Sequence, residues 1–201
     1  MPLAFTEFND EMASLVESIQ KSLVQITGEK GNLGAGTLWR PDGLIITNAH
    51  VLTGRRIQVV LSDGRVFEAQ VLALDEKQDL AALRIEASDL PVPEIGDSRA
   101  VRAGQWVVAV GHPFGVLGAA TAGMVVSAGD AIPEFPDRRE WLALNLRLRP
   151  GHSGGPLIDV HGRMIGVNTL ITGPEIGYAI PVHQVREFLR SRVPEVEVVH
   201  S

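Results

Sequence analysis

The sequence predicts an all-β protein with a short helix near each end. Short runs rich in aliphatic and β-branched residues follow one another along most of the chain. Turn residues separate these runs, as in Pro41-Asp42-Gly43 and Ser62-Asp63-Gly64, whereas a parallel sheet would need crossover helices between its strands. Many short strands with regular turns are typical of a barrel or a sandwich.

The predicted strands fall into two sets on either side of a linker. The first set lies within residues 23–90 and covers 23–27, 36–40, 44–48, 56–61, 66–74 and 80–85. The second set lies within residues 106–181 and covers 106–110, 123–128, 141–148, 156–158, 164–169 and 178–181. Residues 91–105 carry prolines and glycines and are predicted to link the two halves.

Helical patterns flank the strands. Within the N-terminal segment 1–22, Asn9 or Asp10 can cap a helix over residues 10–21. The apolar residues at helical spacing there are Met12, Leu15, Val16 and Ile19. Within the C-terminal segment 182–201, residues 182–192 predict a closing helix that Pro194 ends.

The composition excludes several classes of function. At 201 residues, with 45% hydrophobic and 21% charged residues, the chain is typical of a globular protein with a substantial core. A net charge of −6 without a block of Lys or Arg argues against a nucleic-acid partner. Because Cys is absent, neither a disulfide scaffold nor a thiolate metal site can form. We predict no metal and no other cofactor.

The chain also lacks targeting signals. No apolar run approaches the roughly 20 residues that a helix needs to cross a bilayer, so we predict no membrane partner. The first ten residues have no basic residue before an apolar run, and Glu7 interrupts them, unlike a secretory signal. We expect a cytoplasmic protein if the chain is complete, and a periplasmic or extracellular one if a leader was removed.

Three residues form a candidate catalytic triad. Ser153 lies in Gly-His-Ser-Gly-Gly-Pro just before a predicted strand, His50 ends a strand in Thr-Asn-Ala-His-Val, and Asp79 begins Asp-Leu-Ala-Ala-Leu. A serine hydroxyl is a poor nucleophile unless a base removes its proton, and the base needs an acceptor that orients it. We therefore predict Ser153 as nucleophile, His50 as general base and Asp79 as the orienting group.

The residues around the nucleophile predict an oxyanion hole. Gly151 can adopt a backbone conformation that other residues resist, so the segment Gly151, His152 and Ser153 can point amides at one spot. The amides of Gly151 and Ser153 would then stabilise the oxyanion of a tetrahedral intermediate.

Other readings of these residues remain open. The competing histidines are His112, His152, His161, His183 and His200, and the competing aspartates are Asp75 and Asp159. Residues 151–155 also match the nucleophile elbow of α/β-hydrolases, but that fold needs a helix after the serine and an Asp and His downstream. Pro156 and the β-rich residues that follow it oppose such a helix.

The motifs resemble the HtrA (DegP-like) family of trypsin-like serine peptidases. The similar segments are residues 34–38, 43–51, 79–83, 110–115, 151–157, 165–169 and 177–181, which span nearly the whole chain. The resemblance implies a chymotrypsin-like double six-stranded antiparallel β-barrel with the active site in the cleft between barrels. It also implies an endopeptidase for unfolded or flexible polypeptides with a role in protein quality control. A peptide-binding PDZ domain, common in the family, has no counterpart in this sequence.

The resemblance further implies a substrate pocket. The candidate wall residues are Arg147, Leu148, Val167, Thr169, Ile176 and Tyr178. The apolar members favour small to medium aliphatic residues before the scissile bond, whereas an inward Arg147 or Arg149 would favour acidic ones. Leucines at 144, 146 and 148 alternate with polar residues, which predicts that the arginines face solvent.

The family resemblance also implies that the chain forms a homotrimer. HtrA-like protease domains trimerise through N-terminal segments with aromatic residues, and Phe5 and Phe8 are the candidates here. These aromatics could instead fold back onto their own domain. The alternative to a peptidase is a binding or scaffold module that retains the fold without cleaving.

Overall fold

The computed structural model describes residues 3–28, 33–131, 139–169 and 176–193. Its first closed antiparallel barrel has the strand order β1-β2-β3-β6-β5-β4. The strands are β1 (Leu23–Gly28), β2 (Leu33–Leu38), β3 (Leu44–Thr47), β4 (Ile57–Val60), β5 (Val66–Asp75) and β6 (Leu80–Arg84). Apolar side chains of alternate residues fill its interior, as Ile45 of β3 and Leu83 of β6 show.

The second closed barrel has the order β10-β11-β12-β9-β8-β7. Its strands are β7 (Trp106–Gly111), β8 (Ala119–Ala131), β9 (Glu140–Leu144), β10 (Pro156–Asp159), β11 (Met164–Thr169) and β12 (Gly177–Pro181). Both barrels have six strands, so the predicted all-β class and the double barrel implied by the resemblance are confirmed.

One apolar cluster joins the two barrels. β3 and β6 turn alternate side chains out of the first barrel, so that Leu44 and Leu80 pack with Val167 and Ile180 of the second. Because a strand's successive side chains point to opposite faces, the same strands serve the barrel core and the junction. This junction fixes how the ends of β3 and β6 meet the second barrel, and therefore where the candidate site lies.

The two helices pack on the outside of the barrels. Helix α1 (Leu3–Gln20) lays Met12, Leu15, Val16 and Ile19 against Val108, Val110 and Ile158 of the second barrel. Helix α2 (Val182–Arg192) buries Val185, Phe188 and Leu189 over the junction cluster. No helix in these described ranges is long and apolar enough to span a membrane.

Several predicted boundaries were wrong. Helix α1 begins at Leu3, because Asn9 and Asp10 are weak helix formers that do not break a helix. Strand β8 covers Ala119–Ala131 and not 123–128, since pairing with β7 extends it through an Ala-rich stretch without an apolar pattern. Strand β9 ends at Leu144, although the alternation of buried and exposed residues continues to residue 149.

Candidate active site

His50 lies in a single 3₁₀ turn, Ala49–Val51, directly after β3. Its chain neighbours Ala49 and Val51 are buried, but 46% of its own side chain is exposed. The Asn48 side chain, wholly buried, donates from Nδ2 to the Asp79 carbonyl oxygen at 2.9 Å. This bond ties the turn that carries His50 to the residue that begins the next catalytic segment.

Asp79 is held on three sides. Each of its carboxylate oxygens lies 2.9 Å from His50 Nδ1, and the His50 backbone N–H donates to Oδ1 at 3.1 Å. The Thr169 hydroxyl donates to Oδ2 at 2.8 Å. Its backbone has φ +53°, a conformation uncommon for residues other than glycine. The result is a carboxylate aimed at the imidazole.

The pKa of the Asp79 carboxyl lies below its ordinary value. Burial alone raises the pKa of this carboxyl, but the hydrogen bond and positive charge of His50 and the Thr169 hydroxyl lower it by more. An ionised Asp79 accepts the His50 Nδ1–H and fixes the tautomer that leaves Nε2 free to accept a proton.

Ser153 lies in the loop before β10 and is buried. Its carbonyl oxygen accepts the Ala35 N–H of β2 at 2.9 Å. Gly154 packs so closely against Ala35 and Thr47 that a Cβ there would overlap both. Among the described residues no hydrogen bond joins Ser153 Oγ to the His50 ring, as is common in catalytic sites without substrate.

The backbone of Gly151 is shaped for an oxyanion hole. Its φ is +102°, and a Cβ there would overlap the His112 carbonyl and lie 2.9 Å from Pro113 Cα, so only glycine fits. The Gly151 carbonyl accepts the His112 N–H at 2.7 Å. Within the described ranges, the N–H groups of Gly151 and Ser153 donate no hydrogen bond to the protein.

His152 differs from this pattern. Its N–H donates to the Arg149 carbonyl at 2.9 Å, so it is not free to face an oxyanion. The prediction that His152 belongs to the oxyanion hole is thus not supported, because this N–H is used to close the loop that carries Gly151.

The predicted pocket residues divide into an apolar group near Gly177, the exposed arginines, and two buried residues described below. The buried Leu148 lies against Gly177. Of the two chain neighbours of Gly177, Ile176 is exposed and Tyr178 is buried, with its ring edge-on to Trp141. Arg147 and Arg149 are exposed whereas Leu144, Leu146 and Leu148 are buried, as the alternation predicted.

Two of the predicted wall residues do not face an open pocket. Val167 is wholly buried in the junction cluster, where it packs with residues of both barrels. Thr169 is almost wholly buried, and its hydroxyl is used by Asp79. The prediction that these two side chains line the substrate pocket is therefore corrected.

Comparison with known proteins agrees with this geometry. A family model described as a trypsin-like peptidase domain matches residues 34–167, which contain all three candidate triad positions. The chain belongs to the trypsin-like peptidase family.

Among the curated relatives that the chain matches are serine proteases named DegP-like and HTRA2. "Probable periplasmic serine endoprotease DegP-like" of Chlamydia pneumoniae is 36% identical over 184 residues, covering 88% of this chain and 38% of that protein. "Serine protease HTRA2, mitochondrial" of Drosophila willistoni is 40% identical over 162 residues, covering 78% and 38%. The chain thus spans about 38% of the length of these relatives.

A solved protein structure is similar to this chain in both fold and sequence. The HtrA-type protease AlgW, solved with a tripeptide, matches with a TM-score of 0.83 and 32% identity, covering 89% of this chain and 62% of that one. The predicted resemblance to HtrA-type trypsin-like peptidases is confirmed.

The two rival aspartates of this peptidase domain have other partners. Asp75 accepts the Gln78 N–H at 2.9 Å and pairs with Arg192 at 3.2 Å. Asp159 closes the β10–β11 hairpin and pairs with Arg163 at 2.8 Å. His161 is exposed in that hairpin, and His200 lies outside the described residues.

A second serine–histidine pair lies away from the cleft. Ser98 Oγ is 2.9 Å from His183 Nδ1, and His183 Nε2 is 2.9 Å from Glu140 Oε2. Ser98 Oγ also accepts the His183 backbone N–H at 3.1 Å, which satisfies a donor at the start of α2. This pair therefore fastens α2 to the linker between the barrels.

Sequence reasoning missed two residues that support the triad. Asn48 holds the backbone of Asp79, and Thr169 holds its carboxylate, although Thr169 had been assigned to the pocket. Asn48 lies in the motif that predicted His50, which offered a signal for its importance. For Thr169 a single sequence offers none, since nothing local places residue 169 beside residue 79.

Two buried histidines support the nucleophile loop. His112 Nδ1 accepts the Gly118 N–H at 3.2 Å, and His152 Nδ1 lies 3.1 Å from the Arg149 N. Burial lowers the pKa of each ring, and each also has a positively chargeable neighbour that lowers it further, His152 for His112 and Arg149 for His152. A backbone hydrogen bond opposes this shift in each ring, but the net effect lowers both pKa values and favours the neutral rings.

We predict that acid destabilises the fold, beginning near the ordinary histidine pKa of about 6.5. Below that pH the unfolded chain binds protons that folded His112 and His152 do not, so the free energy of unfolding falls as pH falls. Asp79, with its lowered pKa, acts in the same direction below about pH 4. Urea unfolding at pH 7.5, 6.0 and 5.0 measures this decline.

The His112→Asn variant provides the control for that measurement. An Asn oxygen can accept the Gly118 N–H but does not titrate, so the variant should lose less stability between pH 7.5 and 5.0 than the wild type. Equal free energies of unfolding at those two pH values in the wild type would contradict the assignment of neutral buried rings.

Proposed function

We propose that the chain is a serine endopeptidase that hydrolyses peptide bonds in unfolded or flexible polypeptides. The observation that carries this proposal is the His50–Asp79 pair, with both carboxylate oxygens 2.9 Å from Nδ1. The amides of Gly151 and Ser153, which donate no hydrogen bond within the described part of the chain, support it.

In the proposed reaction Ser153 Oγ attacks the substrate carbonyl carbon while His50 Nε2 accepts the hydroxyl proton. Asp79 stabilises the imidazolium through Nδ1–H, and the N–H groups of Gly151 and Ser153 bind the oxyanion. When the C–N bond breaks, His50 returns the proton to the leaving amine. Water then attacks the acyl-enzyme, again with His50 as base, and releases the carboxylic acid.

The proposed substrate class rests on the family to which the chain belongs and on the reaction itself. A polypeptide must bring one backbone carbonyl to the amides of Gly151 and Ser153, which favours segments without stable structure of their own. The related AlgW was solved with a tripeptide, which supports the same class of substrate here. A role in protein quality control is consistent with this preference.

Covalent labelling by a fluorophosphonate probe tests the proposal. Wild-type protein should be labelled, Ser153→Ala should not, and Ser98→Ala should be labelled like the wild type. Ser98 is a matched control because it also contacts a histidine ring, at 2.9 Å. Absence of labelling in the folded wild type would instead favour a scaffold module that retains the fold without cleaving.

We predict that cleavage occurs after Val, Ala, Leu or Ile. Ile176 is exposed, and the buried Leu148 and Tyr178 lie next to it and make this part of the wall apolar, whereas the side chains of Arg147 and Arg149 alternate with buried leucines and are exposed. Mass spectrometry of the peptides released from a proteome digest should show enrichment of aliphatic residues before the scissile bond, by several-fold over Asp and Glu. Enrichment of acidic residues would place an arginine in the pocket and overturn this preference.

We also propose a homotrimer formed through the N-terminal segment. Phe8 in the second turn of α1 is exposed, as is Trp106 at the start of β7; the Phe5 side chain lies outside the described residues. Large exposed aromatics favour burial against another subunit. Light scattering at micromolar concentration should give three times 21.6 kDa, and deletion of residues 1–8 should give a monomer. An intact chain that is monomeric would reject the trimer.

A further inference from the structure

The segment that carries Ser153 has few side chains that could fix its own shape. Three of the five residues 151–155 are glycine, the residue that loses the most conformational entropy on folding. Attack on a carbonyl is sensitive to a displacement of the nucleophile by about 1 Å. Contacts from other parts of the chain must therefore hold this segment in place.

Asn168 of strand β11 holds the segment through its backbone. The Gly154 N–H donates to the Asn168 carbonyl at 2.8 Å, and the Asn168 N–H donates to the Gly155 carbonyl at 2.8 Å. Gly154 and Gly155 are the two residues that directly follow the nucleophile. Because β10 and β11 pair from Pro156 and Val167 onward, these two bonds extend the pairing up to Gly154.

The side chain of Asn168 adds two further hydrogen bonds. Its Nδ2 donates to the Pro156 carbonyl at 2.9 Å and to the Val110 carbonyl of β7 at 3.3 Å. A side-chain amide nitrogen has two N–H groups, so each carbonyl can accept one of them. Asn168 is wholly buried, so these bonds are shielded from solvent.

The bond to Val110 connects Asn168 to the end of strand β7, against which the nucleophile segment packs. A Cβ on Gly155 would overlap the Val110 carbonyl oxygen. A Cβ on Gly111, the last residue of β7, would lie 2.6 Å from both the Gly151 carbonyl oxygen and the His152 Cα. The side chain of Asn168 therefore ties the strand and the segment together where they are in close contact.

Asn168 and its neighbour Thr169 point to opposite faces of β11. Asn168 pairs with Ala179, which packs inside the second barrel. Thr169 pairs with Tyr178, which packs in the junction cluster. Successive side chains of a strand alternate between its two faces. Asn168 thus reaches the nucleophile segment from the barrel interior, and Thr169 donates to Asp79 at 2.8 Å from the other face.

Two consecutive residues of one strand therefore hold the two parts of the candidate triad. Thr169 holds Asp79, which orients His50, and Asn168 holds the residues that follow Ser153. Strand β11 is paired on both edges, with β10 and β12. Because the two holding points are one peptide unit apart, their separation is fixed by the covalent chain and by the sheet around it.

We infer that Asn168 is a positioning residue that fixes Ser153 relative to the His50–Asp79 pair. This inference rests on the proposed function and adds to it a residue that contacts neither the substrate nor the reacting atoms. The two side-chain bonds require an N–H donor at this place, which neither a carboxylate nor an apolar side chain of similar shape supplies.

The Asn168→Leu variant tests the inference, because it removes both donated bonds and keeps a side chain of similar size. With a quenched peptide we expect kcat to fall about 30-fold, since a displaced nucleophile reacts more slowly with bound substrate. KM should stay within about 3-fold of the wild type, because the apolar group near Gly177 keeps its contacts. Labelling of Ser153 by the fluorophosphonate probe should slow by a factor similar to that for kcat.

Asn168→Ser gives a second, milder measurement, which also serves if Asn168→Leu does not fold. Its hydroxyl has one O–H and can donate to only one of the two carbonyls. We therefore expect its kcat to fall about 5-fold, between those of Asn168→Leu and the wild type.

Ser98→Ala is the matched control that separates positioning from stability. It also removes a hydrogen bond of a buried side chain, but that bond lies away from the nucleophile segment. Kinetics are measured well below the thermal midpoint of each variant, where all are folded, and Ser98→Ala should keep the wild-type kcat. A kcat within about 2-fold of the wild type in both folded Asn168 variants would overturn the inference.

Two other outcomes are distinguishable from that one. A loss of kcat in Ser98→Ala as large as that in Asn168→Leu would also overturn the inference, because destabilisation alone would then explain both. A folded wild type that neither cleaves the peptide nor is labelled at Ser153 would reject the proposed function, and the inference with it.

Discussion

Ser153→Ala should abolish cleavage of an unfolded protein such as casein, with kcat at least about 10⁵-fold below that of the wild type. The variant retains His50, Asp79 and the oxyanion amides but has no oxygen to attack the carbonyl. His50→Ala should be nearly as severe, because losing either member of a nucleophile–base pair removes the same activated state. Initial rates of fluorescent casein hydrolysis measure both effects.

The fold of Ser153→Ala should remain intact. The Ser153 backbone bond to Ala35 does not depend on the side chain, and its hydroxyl makes no hydrogen bond among the described residues. The thermal midpoint should therefore stay within about 2 °C of the wild type. By contrast, Ser98→Ala should keep its activity and lose stability, since it removes the acceptor for the His183 N–H. Wild-type cleavage by Ser153→Ala would refute the assigned nucleophile.

Asp79→Asn should lower kcat about 10⁴-fold at neutral pH. An amide in this place can donate to His50 Nδ1, which favours the tautomer with its proton on Nε2. That proton faces the serine hydroxyl, so the ring can no longer act as its base. The loss of the negative charge also removes the stabilisation of the imidazolium that forms during the attack. Steady-state kinetics at pH 7.5 with a quenched peptide measure the change.

Two further variants make the Asp79 result specific. Asp75→Asn is the matched control, because Asp75 pairs with Arg192 and lies outside the site, and its kcat should stay within about 2-fold of the wild type. Thr169→Val removes only the hydroxyl that donates to Asp79 at 2.8 Å, and it should lower kcat by about 10-fold. A large loss in Asp75→Asn with none in Asp79→Asn would exchange the roles of the two aspartates.

Local patterns were enough to predict the class of fold. Strand positions such as residues 164–169 and the closing helix at 182–192 coincide with β11 and α2, because apolar spacing and turn residues mark them locally. Strand β8 was predicted too short, since its first residues, Ala119 to Ala122, carry no apolar pattern and become a strand by pairing with β7. A strand of this kind is defined by its partner.

In the candidate site, too, some features could be predicted from local sequence and others depend on tertiary contacts. Motifs predicted His50, Asp79 and Ser153, and the structure brings His50 and Asp79 into hydrogen-bond contact. Which N–H groups are free was not readable from the motif, and His152 was wrongly included because its amide turns back to Arg149. The direction of a peptide N–H depends on backbone torsions, and at Gly151 these depend on contact with His112 and Pro113, which are distant in sequence.

The sequence by itself therefore determined the all-β class, the order of the candidate triad and the alternation that exposes Arg147 and Arg149, and its resemblance to a known family implied the double barrel. Only the tertiary structure decided that Thr169 supports Asp79 and does not line the pocket, and that His112 and Pro113 pack against Gly151. The physical reason is that periodicity fixes which face of a strand a residue occupies, whereas barrel closure and the packing between barrels decide which distant residues meet on that face.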